Sequence, residues 1–320
     1  MRSEPRQRTS SMTINQNRRP RFRRLNPPPL RLTADDLAIL AHVGEHRFLR
    51  STHLAKLLDR SPEKIVRRLA ALYHNGYLDR PVAQLDYFAR AGSAPLVYAL
   101  GNKAVSHLTA SDGVDPSNAD WTDKNRDAGR PYLEHALLIA DLMVGIECAV
   151  CGRPSIKLVS GQDILARAPR VDSFGPASWT MMARVPGEST EIAVTPDKVF
   201  ALEFPDSGRR NYFFVEADRA TMPIERRSLA QSSVKKKLLA YHHGHLAKRH
   251  TALWGIPGFR VLTITRSAER IAAMIDVVQE ITGGKGSNVF LFANADATVA
   301  GDPLAIEWLT GKGMRVRLVQ

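Results

Sequence analysis

The sequence predicts a mixed α+β and α/β chain in two domains, and three observations carry that expectation. Residues 31–110 alternate short, well-capped helices and finish in two short apolar strands. Residues 131–320 read as helix, strand, strand, strand, helix, strand, helix, strand. Between them, residues 111–130 are dominated by Ser, Asp, Asn, Lys, Gly and Pro, the composition of a linker. A chain of 320 residues accommodates two domains of ordinary size.

Composition narrows the class. The formal net charge is +13, from 45 Lys and Arg against 32 Asp and Glu, which favours a polyanionic partner. Two cysteines exclude a disulfide scaffold and fit a reducing cytoplasm. No apolar run approaches the roughly 18 residues of a membrane span. The N-terminus has no apolar core behind its arginines, so it does not read as a secretory signal. Residues 1–30 hold eight Arg and one Glu and end at Pro27-Pro28-Pro29. High charge with few apolar residues predicts disorder. A basic arm lying on nucleic acid is one reading; a solvated tail or a targeting remnant is the other.

In the first domain, Thr33 caps a helix through His46 with Asp35 and Asp36 in its first turn, where the helix dipole favours anions. Leu37, Leu40, Ala41 and Phe48 are its expected apolar side. Ser51 caps a second helix, Thr52 to Leu58. Ser61-Pro62-Glu63 opens a third, which runs to His74 and stops at Asn75-Gly76. Ile65, Leu69 and Leu72 face its core, and Lys64, Arg67 and Arg68 share the outer face. Tyr77-Leu78, a polar loop at Arg90 to Ser93, and a strand from Leu96 to Leu100 read as a β-wing, followed by a helix from Lys103 to Leu108. Three helices and a two-stranded wing resemble the winged helix-turn-helix, in which the third helix enters the major groove. Lys64, Arg67, Arg68 and Arg90 are then the expected contacts to double-stranded DNA; the alternative is a solvated charged face.

After the linker, a long helix from Tyr132 to Val150 repeats through Leu133, Leu137, Ala140, Asp141 and Val144. Residues 151–190 read as irregular apart from a strand at Ile156 to Val159, and Ile192 to Val194 is another strand. Val199 to Phe204 and Tyr212 to Val215 form a buried hairpin around Pro205-Asp206-Ser207-Gly208. Residues Ile224 to Ala247 read as a basic helix. Arg260 to Thr265 is a strand, Ser267 caps a helix from Ala268 to Ile281, and Gly283-Gly284 stops it. A strand at Val289 to Ala293 and a short helix or strand near Trp308 and Met314 to Val319 complete the chain.

Three carboxylates lie at the ends of the hairpin: Asp197, Glu216 and Asp218. Residues i and i+2 of a strand share a face, so Glu216 and Asp218 are expected to project together. Antiparallel pairing brings Asp197 beside Glu216, and a hard cation such as Mg²⁺ would relieve the repulsion. The plain alternative is a set of polar strand ends facing water. Other motifs fail. Cys148-Ala149-Val150-Cys151 supplies half of a zinc site, and His242, His243 and His245 lie at no standard spacing from it. Gly283-Gly284-Lys285-Gly286 lacks the hydroxyl residue of a P-loop.

The layout of Pro196-Asp197 and Glu216-Ala217-Asp218 on an αβββαβ order resembles the PD-(D/E)xK phosphodiesterase fold. Asp218 stands where that fold has lysine. The resemblance implies that Lys237, on the following helix, supplies the ammonium, with Lys235 and Lys236 as weaker substitutes. It also implies that Asp197 and Glu216, helped by the Ala217 carbonyl, hold Mg²⁺ or Mn²⁺, with Asp218 as a further ligand. Over residues 30–320, Glu134-His135, Pro196-Asp197, Glu216-Ala217-Asp218-Arg219 and Lys237 to Tyr241 occur in the order that resembles the replication-relaxation family of plasmids and other mobile elements. That resemblance implies a cytoplasmic, DNA-binding protein acting in replication, relaxation or mobilisation. Its implied partners are relaxase or replication proteins, a homo-oligomer is compatible with it, and Glu134, His135 and Tyr241 are implied as accessory site residues. Metal-dependent phosphodiester cleavage is the enzymatic reading. A winged-helix transcriptional or origin-binding regulator, or a relaxosome adaptor, with a degenerate nuclease-like domain, is the rival.

Overall fold

A reciprocal cap starts the first unit. The Thr33 hydroxyl accepts from Asp36 N–H at 3.3 Å, and the Asp36 carboxylate accepts from Thr33 N–H at 2.6 Å. Helix α1 follows, Ala34–His46. The computed structural model describes residues 22–85, 94–105, 121–169, 178–187, 189 and 191–319. Helix α1 is rotated from the expected stripe. Leu37 is 41% exposed and Ala41 is exposed, while Ile39, Leu40 and Val43 are buried. The reason is Asp36, fully buried because Arg68 pairs with its carboxylate, which puts position 36 and its helical neighbours on the inner face.

Strand β1, Leu49–Arg50, leads into α2, Ser51–Leu57, with Arg50 rather than Ser51 at the N-cap. Ser61 caps α3, Pro62–His74. Strands β2, Leu78–Asp79, and β3, Val97–Leu100, pair with each other and with β1 in the order β1-β3-β2. The expected two-stranded wing is therefore a three-stranded sheet, because Leu49 pairs with Tyr98. Gly76 takes φ +81°, and a Cβ on Gly101 would meet its carbonyl oxygen at 2.5 Å, so the two turns close only with glycine. Residues 22–25 of the expected arm are docked: Arg24 donates to the Tyr73 carbonyl at 3.1 Å and the Leu78 carbonyl at 3.0 Å. Residues 1–21 and Arg90 lie outside the described residues.

The expected linker is helical in part. Helix α4, Trp121–Asp127, packs by Asn125, which is buried and donates to the Leu100 carbonyl at 2.7 Å and to Asp79 at 3.2 Å. Helix α5, Arg130–Cys151, then serves two cores. Ala140 and Val144 pack with Ile39, Leu40 and Leu69 of the first unit. Leu138, Leu142, Met143 and Ile146 pack on the sheet of the second. Arg50 and His53 both reach Asp141 of α5, and Lys198 donates to Glu45 at 2.5 Å. The two units are joined through a common helix, in place of the separation expected from the linker.

The second unit contains β4 (Lys157–Ser160), α6 (Gly161–Ala166), β5 (Met181–Ala183), β6 (Ile192–Val194), β7 (Lys198–Phe204) and β8 (Arg209–Ala217). Then come α7 (Val234–Leu246), α8 (Arg249–Trp254), β9 (Arg260–Thr265) and α9 (Ala268–Ile281). Strand β10 (Phe290–Asn294), α10 (Ala295–Ala300), β11 (Trp308–Thr310) and β12 (Arg315–Val316) close the chain. Helix α6 and strand β5 occupy the stretch expected to be irregular. A seven-stranded sheet runs β12-β11-β10-β9-β8-β7-β4, parallel from β8 to β10 and antiparallel elsewhere, while β5 and β6 pair separately.

Strand periodicity assigns the two faces. Val199, Ala201, Phe214, Val261, Phe290 and Phe292 face the layer that contains Leu238 and Tyr241 of α7 and Met274 of α9. Phe200, Leu202, Phe213, Val215, Leu262 and Leu291 face α5 and α10. Glu216 has the parity of Phe214 and so points toward α7. That helix starts at Val234, ten residues later than expected from Ile224. The Pro223 and Ile224 carbonyls instead fold back and accept from Val234 N–H at 3.1 Å and Lys235 N–H at 2.9 Å.

Leu142→Ala removes a fully buried side chain where α5 meets the sheet. It should cost about 2–5 kcal/mol in denaturant unfolding. Both units should be lost in a single transition, since α5 belongs to both cores; two separated transitions would contradict the shared-helix packing.

Candidate functional site

The register of β7 on β8 sets the two principal carboxylates side by side. Lys198 pairs with Val215, so Asp197 stands opposite Glu216 at the carboxyl end of β8. Asp197 N–H donates to the Val215 carbonyl at 2.9 Å, and its carboxylate accepts from Ala217 N–H at 2.8 Å. Ser233 caps α7 by accepting from Lys236 N–H at 3.2 Å, and Lys237 and Tyr241 follow at i and i+4 on one face. Lys237 Nζ donates to Glu216 Oε2 at 2.5 Å, and Tyr241 Oη donates to Glu216 Oε1 at 2.6 Å. From the start of α5, His135 Nε2 lies 3.2 Å from Asp197 Oδ1. These groups line a cleft of about 450 Å³ that Arg219, Met222 and Thr263 also border.

Burial dominates the electrostatics. It pushes the Glu216 carboxyl up to about 7; the Asp197 charge adds to this, while Lys237 and the Tyr241 hydroxyl oppose it. Burial also works against ionisation of Asp197, but His135, Lys237 and the Ala217 N–H outweigh it and hold that carboxyl below its ordinary range. The hydrogen bond to Asp197 raises the His135 imidazole, favouring its charged form. Burial opposes the charge on Lys237, but Glu216 and Asp197 overcome it and raise the ammonium. Tyr241 is raised well above an ordinary phenol, first by burial and then by the Glu216 charge, so it acts as a hydrogen-bond donor.

Asp197, Glu216, Lys237, Tyr241 and His135 are thus brought together, and other expected site residues are not. Asp218 borders the cleft, but its carboxylate is engaged by Arg270, whose Nη2 donates to Oδ1 at 2.8 Å, and by Thr265 Oγ1 at 3.0 Å. Asp218 is thus held by Arg270 and Thr265, partners separate from those of Asp197 and Glu216. Among the described residues, the one group of three His, Cys, Asp or Glu side chains whose ligand atoms converge is His42, His46 and Glu147, outside this cleft. Glu134 pairs with Arg130 and with Arg219, itself a residue of the cleft border, and makes no bond to the carboxylates among the described residues. On α3, Lys64 and Arg67 are exposed, but Arg68 is drawn back to Asp36 and the Arg31 carbonyl. Sequence reasoning missed Arg270 and gave Arg219 no role. Arg219 directly follows Glu216-Ala217-Asp218, a visible signal; Arg270 lies on α9 with no spacing that marks it.

The replication-relaxation family matches residues 40–252, more than half of the chain, and the chain belongs to that family. The matched range contains His135, Asp197, Glu216, Lys237 and Tyr241. Membership associates the chain with plasmid or mobile-element replication or relaxation. Comparison with curated proteins and with solved structures returned no match. Among the described residues, no helix is long and apolar enough to cross a membrane.

The Glu216 shift carries a sign. Its folded carboxyl holds a proton more tightly than the ordinary value of 4.5, so its contribution to stability is full below that pH and is lost as pH rises through about 7. Wild type should lose thermal stability relative to Glu216→Gln across that window. In ¹³C NMR titration, Lys237→Met should raise the Glu216 midpoint further than Tyr241→Phe, because the ammonium charge lowers it more than the hydroxyl does. An unmoved midpoint in Lys237→Met would contradict the geometry.

Proposed function

We propose that the protein binds duplex DNA of a plasmid or other mobile element through its first unit and engages a phosphodiester in the Asp197–Glu216–Lys237 cleft, as a metal-dependent DNA-nicking protein. The observation that carries the reading is the meeting of two strand-end carboxylates with a lysine from the next helix, Lys237 Nζ lying 2.5 Å from Glu216. The arrangement matches what the PD-(D/E)xK resemblance implies, with the lysine displaced to α7. The first unit, three helices on a three-stranded sheet, supports a winged-helix reading, and Lys64 and Arg67 are exposed on its third helix. The net charge of +13 supports a polyanionic partner.

The donor set fits a hard divalent cation. Asp197 and Glu216 offer carboxylate oxygens with lone pairs beyond those used by Ala217, His135, Lys237 and Tyr241. Mg²⁺ or Mn²⁺, held there, would polarise the phosphodiester and lower the pKa of a bound water. Lys237 would neutralise the scissile phosphate on leaving Glu216. His135 orients Asp197 and adds positive charge when protonated. Tyr241 fixes the rotamer of Glu216. Arg270 answers the charge of Asp218, so the aspartate at the position of the usual lysine does not leave an unpaired anion facing the phosphate.

One observation favours a non-catalytic regulator or relaxosome adaptor instead. Both oxygens of Glu216 already have donors, so the pair can serve as a structural plug as it stands.

Purified protein and supercoiled plasmid, with Mg²⁺, Mn²⁺ or chelator, separate these readings. Nicking should require metal and disappear in Asp197→Asn and Lys237→Met, while DNA retention persists. Retention without nicking under every condition would leave the regulator. In the same binding assay, replacing Lys64 and Arg67 together by Ala should reduce the salt slope by about two units, roughly one per lost phosphate contact. Unchanged slopes would reject α3 as the DNA surface.

A further inference from the structure

A second cluster lies away from the cleft, where α1 meets α5. His42 and His46 are spaced i, i+4, which sets both imidazoles on one face of α1, a spacing that zinc sites on helices use. Glu147 approaches from α5. His42 Nδ1 is 3.7 Å from Glu147 Oε2, and His46 Nε2 is 2.8 Å from Glu147 Oε1. One ligand atom from each residue lies within 4.8 Å of the others.

The state of His46 points to a ligand. Its side chain is 2% exposed, and its Nε2 has no hydrogen-bond partner. The nearby Glu147 oxygen is within reach but out of line for a hydrogen bond. The nitrogen and the carboxylate thus lie at ion-pair distance without an aligned hydrogen bond between them.

We propose that His42, His46 and Glu147 form a site for one divalent transition-metal ion, Zn²⁺ being the probe of choice, that clamps the first unit onto the shared helix. Two imidazoles and a carboxylate suit zinc and exclude a magnesium-type site, which takes oxygen donors. Three protein ligands leave a fourth position, and His42, 32% exposed, borders the solvent from which water would fill it. Glu45 sits between the two histidines in sequence but is tied to Lys198, whose Nζ also donates to its carbonyl at 3.3 Å. The ion would add a link between α1 and α5 beside the Arg50–Asp141 and His53–Asp141 pairs, which tie the end of β1 and α2 to the same helix α5.

The test uses the untagged full chain, stripped with chelator and titrated with Zn²⁺ against a chromophoric indicator. Wild type and Asp197→Asn should each bind one equivalent at this site, and zinc should raise the melting temperature of both. His42→Ala and Glu147→Gln should lose that equivalent and the thermal shift, with far-ultraviolet circular dichroism showing both folded. Should His42→Ala fail to fold, Glu147→Gln gives the same reading. Co²⁺ should produce visible d–d absorption in wild type that His42→Ala abolishes. No zinc bound by wild type, retention of the equivalent in both ligand variants, or its loss in His242→Ala/His243→Ala instead, would overturn the proposal.

Discussion

A carboxylate buried at the end of a central strand must be compensated, and Glu216 is the one that this fold is built to compensate. It is 7% exposed and sits among apolar neighbours of the face that carries Phe214 and Tyr241. Leaving such a charge unpaired costs several kcal/mol. The answer comes from one helix, because Lys237 and Tyr241 lie one turn apart on α7 and take one oxygen each. Their reach depends on where α7 begins. Ser233 and the folded-back Pro223 and Ile224 carbonyls fix that start. The loop before α7, irregular in outline, is thereby part of the site's support. Asp197 adds a second negative charge, held in place by the Ala217 N–H and balanced by His135.

Helix α5 carries this constraint to the rest of the molecule. Its first turns bring His135 to the cleft, its middle packs against both cores, and its last turns offer Glu147 to α1. A rigid element with three such duties fixes the first unit relative to the cleft. The ion pairs of Asp141 and Lys198 reinforce that placement. Under the proposed function, DNA held on α3 would meet a cleft of set position.

Much of this was legible in the sequence where the signal is local. Thr33, Ser61 and Ser267 mark helix starts that the structure keeps, because capping involves residues only a few positions apart. The hairpin and its turn follow from β-propensity and turn residues, and its register alone brings Asp197 to Glu216. What failed depends on distant partners. The inner face of α1 could not be read because Asp36, a charged residue, is buried by Arg68 of another helix. The pairing of Asp218 with Arg270 was not legible because the two are 52 residues apart. Helix α4 hid in a polar stretch because Asn125 packs by hydrogen bonds, without an apolar stripe. The convergence of His42 and His46 with Glu147 likewise needs the fold, since only the two histidines share a periodicity.

The proposed function rests on a cation site at Asp197 and Glu216, in which Lys237 would hold the place of the ion. Titration of Mn²⁺ monitored by electron paramagnetic resonance addresses it directly, because free and protein-bound ions give separable signals. At a pH above the Glu216 midpoint of each protein, Asp197→Asn should lose binding at this site relative to wild type, and Lys237→Met should bind more tightly, because the ammonium no longer competes for the ionised Glu216. Identical Mn²⁺ binding by all three proteins would contradict the account.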